Sequence, residues 1–277
     1  MKRIVVIGDV HHQLAGAVDA LNRLECEVGS IDQVFSVGDL CLFLLEDDWK
    51  FLSGPSKYRC PQDTRRICAA WDQWKWPLSI IGGNHEPFNR LRNWDPDFFQ
   101  GKLQYVDAGV LSHSIPDLCV VGLTGIHNSN EMEFLSPAER ANRKFPQAES
   151  WADMVGLAES SKISRKRLTY YKEDEIVRLK NLDVKPHLLL THEWPSQAGP
   201  RGEHISRSPE LEVLQALRPD FACCGHRHTA AQFSVNETQV YALNILSRTP
   251  HMVNAGWCVV FEWDGTSLLN PVSWPRR

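Results

Sequence analysis

The sequence contains no apolar stretch approaching the ~18 residues needed to cross a bilayer, and its mean hydropathy is −0.32. The first apolar run, Ile4 to Ile7, is cut by Gly8 and Asp9, far too soon for the core of a secretory leader. Excess basic charge is also missing: 30 Lys and Arg against 34 Asp and Glu leave a net charge of −4. A general polyanion binder is therefore excluded, and any nucleic-acid contact must be local. No C-x-x-C pair occurs among the eight cysteines, which removes thiolate zinc sites and argues against a disulfide framework in a chain this long. The thiols are expected to be mostly buried, in a reducing cytoplasm. Internal repeats, low-complexity tracts and linkers are absent as well. What remains is a chain of 277 residues, 43% hydrophobic and 23% charged, enough for one well-packed core. It reads as a soluble, cytoplasmic, single domain over 1–277.

Ile4–Ile7, Val34–Val37 and Leu78–Ile81 are continuously apolar, as expected of strands buried on both faces. Between them, Leu14, Ala17, Val18, Leu21 and Leu24 recur at helical spacing, and Thr64 to Trp76 reads as a second helix. Strand, helix, strand order predicts parallel pairing. In the second half, strands are expected at Leu118–Gly122, His187–Leu190, Phe221–Cys224, Ala231–Val235, Val240–Leu243 and Trp257–Trp263. Helices are expected at Lys172–Leu182 and from Ser208 to about Leu217, with Ser208 as cap and Pro209 first. From about 128 to 170 the periodicity weakens, which reads as a charged insertion over the domain.

Eleven histidines stand out, several beside Asp, Asn or Gly at strand ends. Five polar clusters follow five predicted strands: Gly8-Asp9-Val10-His11, Gly38-Asp39, Gly83-Asn84-His85-Glu86, Thr191-His192 and Gly225-His226-Arg227-His228. The carboxyl ends of strands are where α/β sheets gather ligands. Asp9 and His11, and likewise His226 and His228, are two apart, so an extended backbone would project each pair to one side. The preceding glycines allow sharp turns. Two Asp, one Asn and four His offer oxygen and imidazole nitrogen without thiolate, a set suited to Mn, Fe, Zn or Ni. Asp39 is a natural bridge between two ions. Ions about 3.5–4 Å apart can share a hydroxide and clamp a phosphoryl group, and His85 is suited to protonate the leaving oxygen.

In that order, the five motifs resemble those of the calcineurin-like metallophosphoesterases. The resemblance implies a two-sheet β-sandwich flanked by helices, a four-layer α/β fold. It also implies two divalent metal ions: Asp9, His11 and His228 on the first, Asn84, His192 and His226 on the second, Asp39 bridging, His85 as general acid. Within that family the second half is most similar to RNA lariat-debranching enzymes. The matching features are Leu123-Thr124-Gly125-Ile126, Tyr171 with the Glu175–Leu179 helix, Thr191-His192-Glu193-Trp194-Pro195, Ser208-Pro209-Glu210 and Gly225-His226-x-His228. There are departures. Debranching enzymes typically carry Cys at the position of Asp9, and His12 replaces a usual Gly. The segment after Asp39 lacks the further Asp and Arg of protein phosphatases.

The expected function is thus a metal-dependent phosphoester hydrolase, a phosphodiesterase acting on a nucleotide or nucleic-acid-type substrate such as RNA. The alternatives are a phosphomonoesterase or protein phosphatase, and a non-catalytic metal-binding scaffold. Candidate substrate contacts are His12, His127 and Trp194, with Arg143 and Lys166 from the insertion. From Glu139 to Arg167 seven basic residues outnumber four acidic ones, a local +3 that could meet a phosphate backbone.

Overall fold

The computed structural model describes residues 1–55, 58–133, 148–195, 208–247 and 252–275. Among these residues, twelve strands form two mixed six-stranded sheets. The first runs in the order β12 (Leu268–Trp274), β11 (Cys258–Trp263), β1 (Lys2–Ile7), β2 (Gln33–Ser36), β3 (Leu78–Ile80), β4 (Leu103–Tyr105). The second runs β5 (Ala108–Val110), β6 (Val120–Leu123), β7 (Leu188–Thr191), β8 (Phe221–Cys224), β10 (Thr238–Ala242), β9 (Ala231–Val235). β1 to β4 are parallel, as are β6, β7, β8 and β10. The expected parallel pairing is observed, and antiparallel strands close the margins.

Alternation along β1 explains the layering. Ile4 and Val6 face inward, joining Phe35, Val120, Leu188, Leu190 and Phe261 between the two sheets. Val5 and Ile7 face outward, against helix α1 (Leu14–Val28) and helix α2 (Thr64–Gln73), which buries Ile67, Ala70 and Trp71. On the far side, Val121, Leu189, Ala222 and Val240 pack under Ile176, Leu179, Val213 and Leu214. The result is helix, sheet, sheet, helix, the four layers expected.

Five chain crossings therefore end at one edge. Residues 8–12, 37–41 and 81–86 leave β1, β2 and β3, and residues 192–195 and 225–229 leave β7 and β8. Part of the charged segment is core. Beyond the one-turn helix α3 (Phe88–Leu91), Ser150 caps helix α4 (Trp151–Glu159) through its hydroxyl on Asp153 N, and Trp151, Met154, Val155 and Ala158 are buried. Of the thiols, Cys41, Cys223, Cys224 and Cys258 are buried and Cys26 is exposed. No helix among the described residues is long and apolar enough to cross a membrane.

Candidate functional site

The strand-end loops are tied to one another before any ligand is considered. Val10 and His11 donate their N–H groups to Asp39 O at 3.0 and 2.9 Å, and Leu246 N donates to Asp9 O at 2.8 Å. The Asp39 side chain accepts the His85 N–H at 2.8 Å, and the Asp9 carboxylate accepts His226 N–H at 3.2 Å. Glu86 receives Leu40 and Cys41 N–H, both at 2.9 Å, locking the Asp39 loop to the Asn84 loop. Burial, with the nearby Asp39 charge, raises the Glu86 carboxyl to about 7 against these donors.

The reason for the glycines differs from expectation at two of them. A Cβ on Gly83 would overlap the Asp39 carboxylate, and one on Gly225 would overlap that of Asp9. These glycines make room for carboxylates more than they bend the chain. Only Gly38, at φ +100°, also needs the left-handed region. The pleat expectation is corrected as well. His11, Asp39, His226 and His228 sit at φ 46°, 52°, 68° and 51°, not in extended backbone. Non-glycine residues with such angles are uncommon and collect at functional sites.

The side chains converge. His11 Nε2 lies 2.9 Å from His228 Nε2, and His228 Nε2 lies 3.0 Å from Asp9 Oδ2. His11 Nε2 is also 3.6 Å from Asp39 Oδ2. His192 Nε2 stands 3.4 Å from Asp39 Oδ2 and 3.2 Å from Asn84 Oδ1. His226 packs its ring 5.0 Å from that of His192, and His85 lies 5.3 Å from His11 by ring centroids. Asp9, His11 and His228, then His11, Asp39 and His85, then Asp9, Asp39 and His192 each bring three ligand atoms within 4.8 Å.

This donor set is short of positive charge. His192 Nδ1 is 2.8 Å from Val37 O, so the ring proton belongs there. Its Nε2 faces two oxygen acceptors, an arrangement that calls for a second ring proton or for an ion between them. Asp9 and Asp39 are 0% and 1% exposed, and no Lys or Arg among the described residues pairs with either. Buried carboxylates faced by imidazoles depend on a histidine proton or a cation for their counter-charge. Burial of His192 opposes its charge, yet the Asp39 carboxylate outweighs this and lifts it to about 10. Burial opposes charge on Asp39 too, but His192 and His85 hold it well below the carboxylate range. His11, by contrast, is pushed down to about 4 because burial outweighs Asp39 and Asp9. A divalent cation fits such a cluster, and the oxygen and imidazole donors suit borderline to hard ions.

A family assignment follows from the whole chain as well as from the site. The sequence profile of calcineurin-like phosphoesterases matches residues 2–230. The chain belongs to this family. It is accordingly a hydrolase of phosphoester bonds, and the family is metal-dependent. Among curated relatives, the lariat debranching enzyme of Entamoeba histolytica is 23% identical over 88% of this chain and 68% of its own length. That of Drosophila pseudoobscura pseudoobscura is 24% identical over 82% of this chain, which spans only 42% of the fly protein. One solved structure aligns over 99% of both chains at 11% identity with a TM-score of 0.55, a likeness of fold.

The phosphoesterase's outer candidates are dispersed. His12 is half-buried at φ 54°, its ring 5.6 Å from Trp49. Exposed His127 gives its backbone N–H to Glu193, next to His192. Lys166 is exposed, 6.0 Å from the Tyr170 ring. Arg143 lies outside the described residues. Trp194, expected to wall the pocket, is only 2% exposed, and its indole N–H is committed to Gly225 O at 2.7 Å. Two positioning residues escaped the sequence reading. Glu86 was in plain view within its motif. Thr124 accepts Gly82 N–H at 2.9 Å and donates to Val106 O at 2.6 Å, while Gly125 N donates to Gly82 O at 2.8 Å. The Leu123–Ile126 segment thereby clasps the start of the Asn84-His85 loop.

Proposed function

We propose that this phosphoesterase is a phosphodiesterase of nucleotide or nucleic-acid-type substrates, working with two divalent ions. The observation that carries the reading is the convergence of Asp9, His11, Asp39, Asn84, His192 and His228 with acceptor atoms facing one another. The names of the debranching-enzyme relatives support a nucleic-acid substrate, RNA included. Asp9, His11 and His228 would hold one ion, Asn84, His192 and His226 the other, and Asp39 both. Bound there, such ions neutralise phosphoryl charge and make water acidic enough to supply a nucleophile near neutral pH.

The chain's own groups have separable tasks. Val37 O fixes the His192 tautomer. Glu86 and the His85 N–H hold Asp39 in place, so little reorganisation is needed as charge develops. His85, at the mouth beside Gly54, donates its proton to the leaving oxygen. The test uses bis-(p-nitrophenyl) phosphate with Mn²⁺, and p-nitrophenyl phosphate at matched concentration. Wild type should favour the diester, and Asp39→Asn should lower turnover by about 10²–10³-fold or more. Unaltered activity in the variant would defeat the reading.

A further inference from the structure

The basic residues around the site differ in what occupies them. Arg167 pairs with Glu131 at 2.6 Å. Arg165 donates to Lys50 O at 2.9 Å and lies over Phe51. Arg92 is buried against Asp107 and Glu175. Arg227, between His226 and His228, is exposed, and no carboxylate among the described residues pairs with it. It is nevertheless held. Gly225 O accepts both Arg227 N–H, at 2.8 Å, and the Trp194 indole N–H, at 2.7 Å. One carbonyl thus anchors the arginine's backbone and the ring beneath its guanidinium, whose carbon is 5.1 Å from the Trp194 centroid. The buried indole gives a planar cation a fixed platform. The N–H edges of the guanidinium remain available to an anion.

We propose that Arg227, seated on Trp194, is a binding subsite for a phosphodiester group flanking the scissile one in a single-stranded oligonucleotide. The inference rests on the phosphodiesterase reading and adds to it. Consecutive Cα atoms are about 3.8 Å apart, so the arginine is rooted one residue from two proposed ligands. A strand that delivers one phosphodiester to His226 and His228 would carry the next within reach of a long side chain rooted between them. The guanidinium fork matches phosphate oxygens in geometry as well as charge, and a lone phosphomonoester would not use it.

A binding cycle tests this without turnover. Two labelled tetranucleotides share a non-hydrolysable phosphonate as central linkage. One has anionic, equally non-hydrolysable methylene-bridged phosphonates as flanking linkages, and the other has neutral methylphosphonates there. Fluorescence anisotropy measures both against the wild-type chain and Arg227→Gln. Wild type should prefer the anionic strand by about tenfold, and Arg227→Gln should reduce that preference to under about twofold. The log–log salt slope for the anionic strand should flatten by about 0.7, a change that a merely structural role for Arg227 would not produce. Undiminished preference in Arg227→Gln, or no binding of either strand by wild type, would overturn the subsite. Failure of the phosphodiesterase reading registers separately, as absent diester hydrolysis by wild type.

Discussion

Two buried clusters of charge in this phosphoesterase solve the same problem in opposite ways. Beneath helix α4, Arg92 meets Asp107 at 2.5 Å and Glu175 at 3.5 Å, with its guanidinium 3.5 Å from the centre of the Trp151 ring. Glu175 also accepts Trp151 Nε1–H at 3.1 Å and Lys172 N–H at 2.8 Å. That cluster carries its own cation. The strand-end cluster buries Asp9 and Asp39 as deeply but faces them with imidazoles and an amide. A charge network that supplies its own counter-ion holds a fold together. One that faces its carboxylates with titratable imidazoles can take the positive charge from a proton or exchange it for an ion.

Breaking the Arg92 cluster should have the largest effect on stability. Arg92→Met strands the buried Glu175, leaves the half-buried Asp107 unpaired with it, and should cost about 3–5 kcal/mol in urea denaturation. Because the other cluster is untouched, stabilisation by added Mn²⁺ should persist in the variant. A loss below about 1 kcal/mol would erase the contrast.

A third buried carboxylate sharpens the comparison, with no arginine paired to it among the described residues. Burial, assisted by Glu193, raises Glu210 to about 7, and Tyr171 donates to it at 2.5 Å. Its solution is a proton. With the folded pKa above the unfolded 4.5, its stability contribution is full below about 4.5 and is lost as pH rises through about 7. Glu210→Gln should shrink the fall in stability between pH 5 and pH 8 by about 3 kcal/mol. An unchanged pH profile would show that Glu210 is not the group responsible.

Much of this contrast was legible in the sequence. The apolar runs of β1, β2, β3, β7 and β8 set the strands, and the polar residues after each gave the ligand set. What escaped depended on tertiary context. β4 and β5 are three residues each, too short for periodicity to register. β12 contains Asn270, Pro271 and Ser273 and reads as loop. At the sheet margin, beside a register shift between Val260 and Glu262, it forms all the same. Helix α4 was hidden because charges on both flanks mask Trp151, Met154, Val155 and Ala158. The left-handed angles of His11, Asp39, His226 and His228 carry no signal in residue type, and neither does the shared carbonyl that couples Arg227 to Trp194. The motifs named the candidate ligands; left-handed backbone and borrowed hydrogen bonds aim them.

The most direct measurement is metal stoichiometry, by equilibrium dialysis of the purified chain against Mn²⁺ near pH 7.5 and elemental analysis. About two ions per chain are predicted for the wild type, with Asp39→Asn retaining fewer than about one. A wild-type chain that binds no ion at saturating Mn²⁺ would contradict the account.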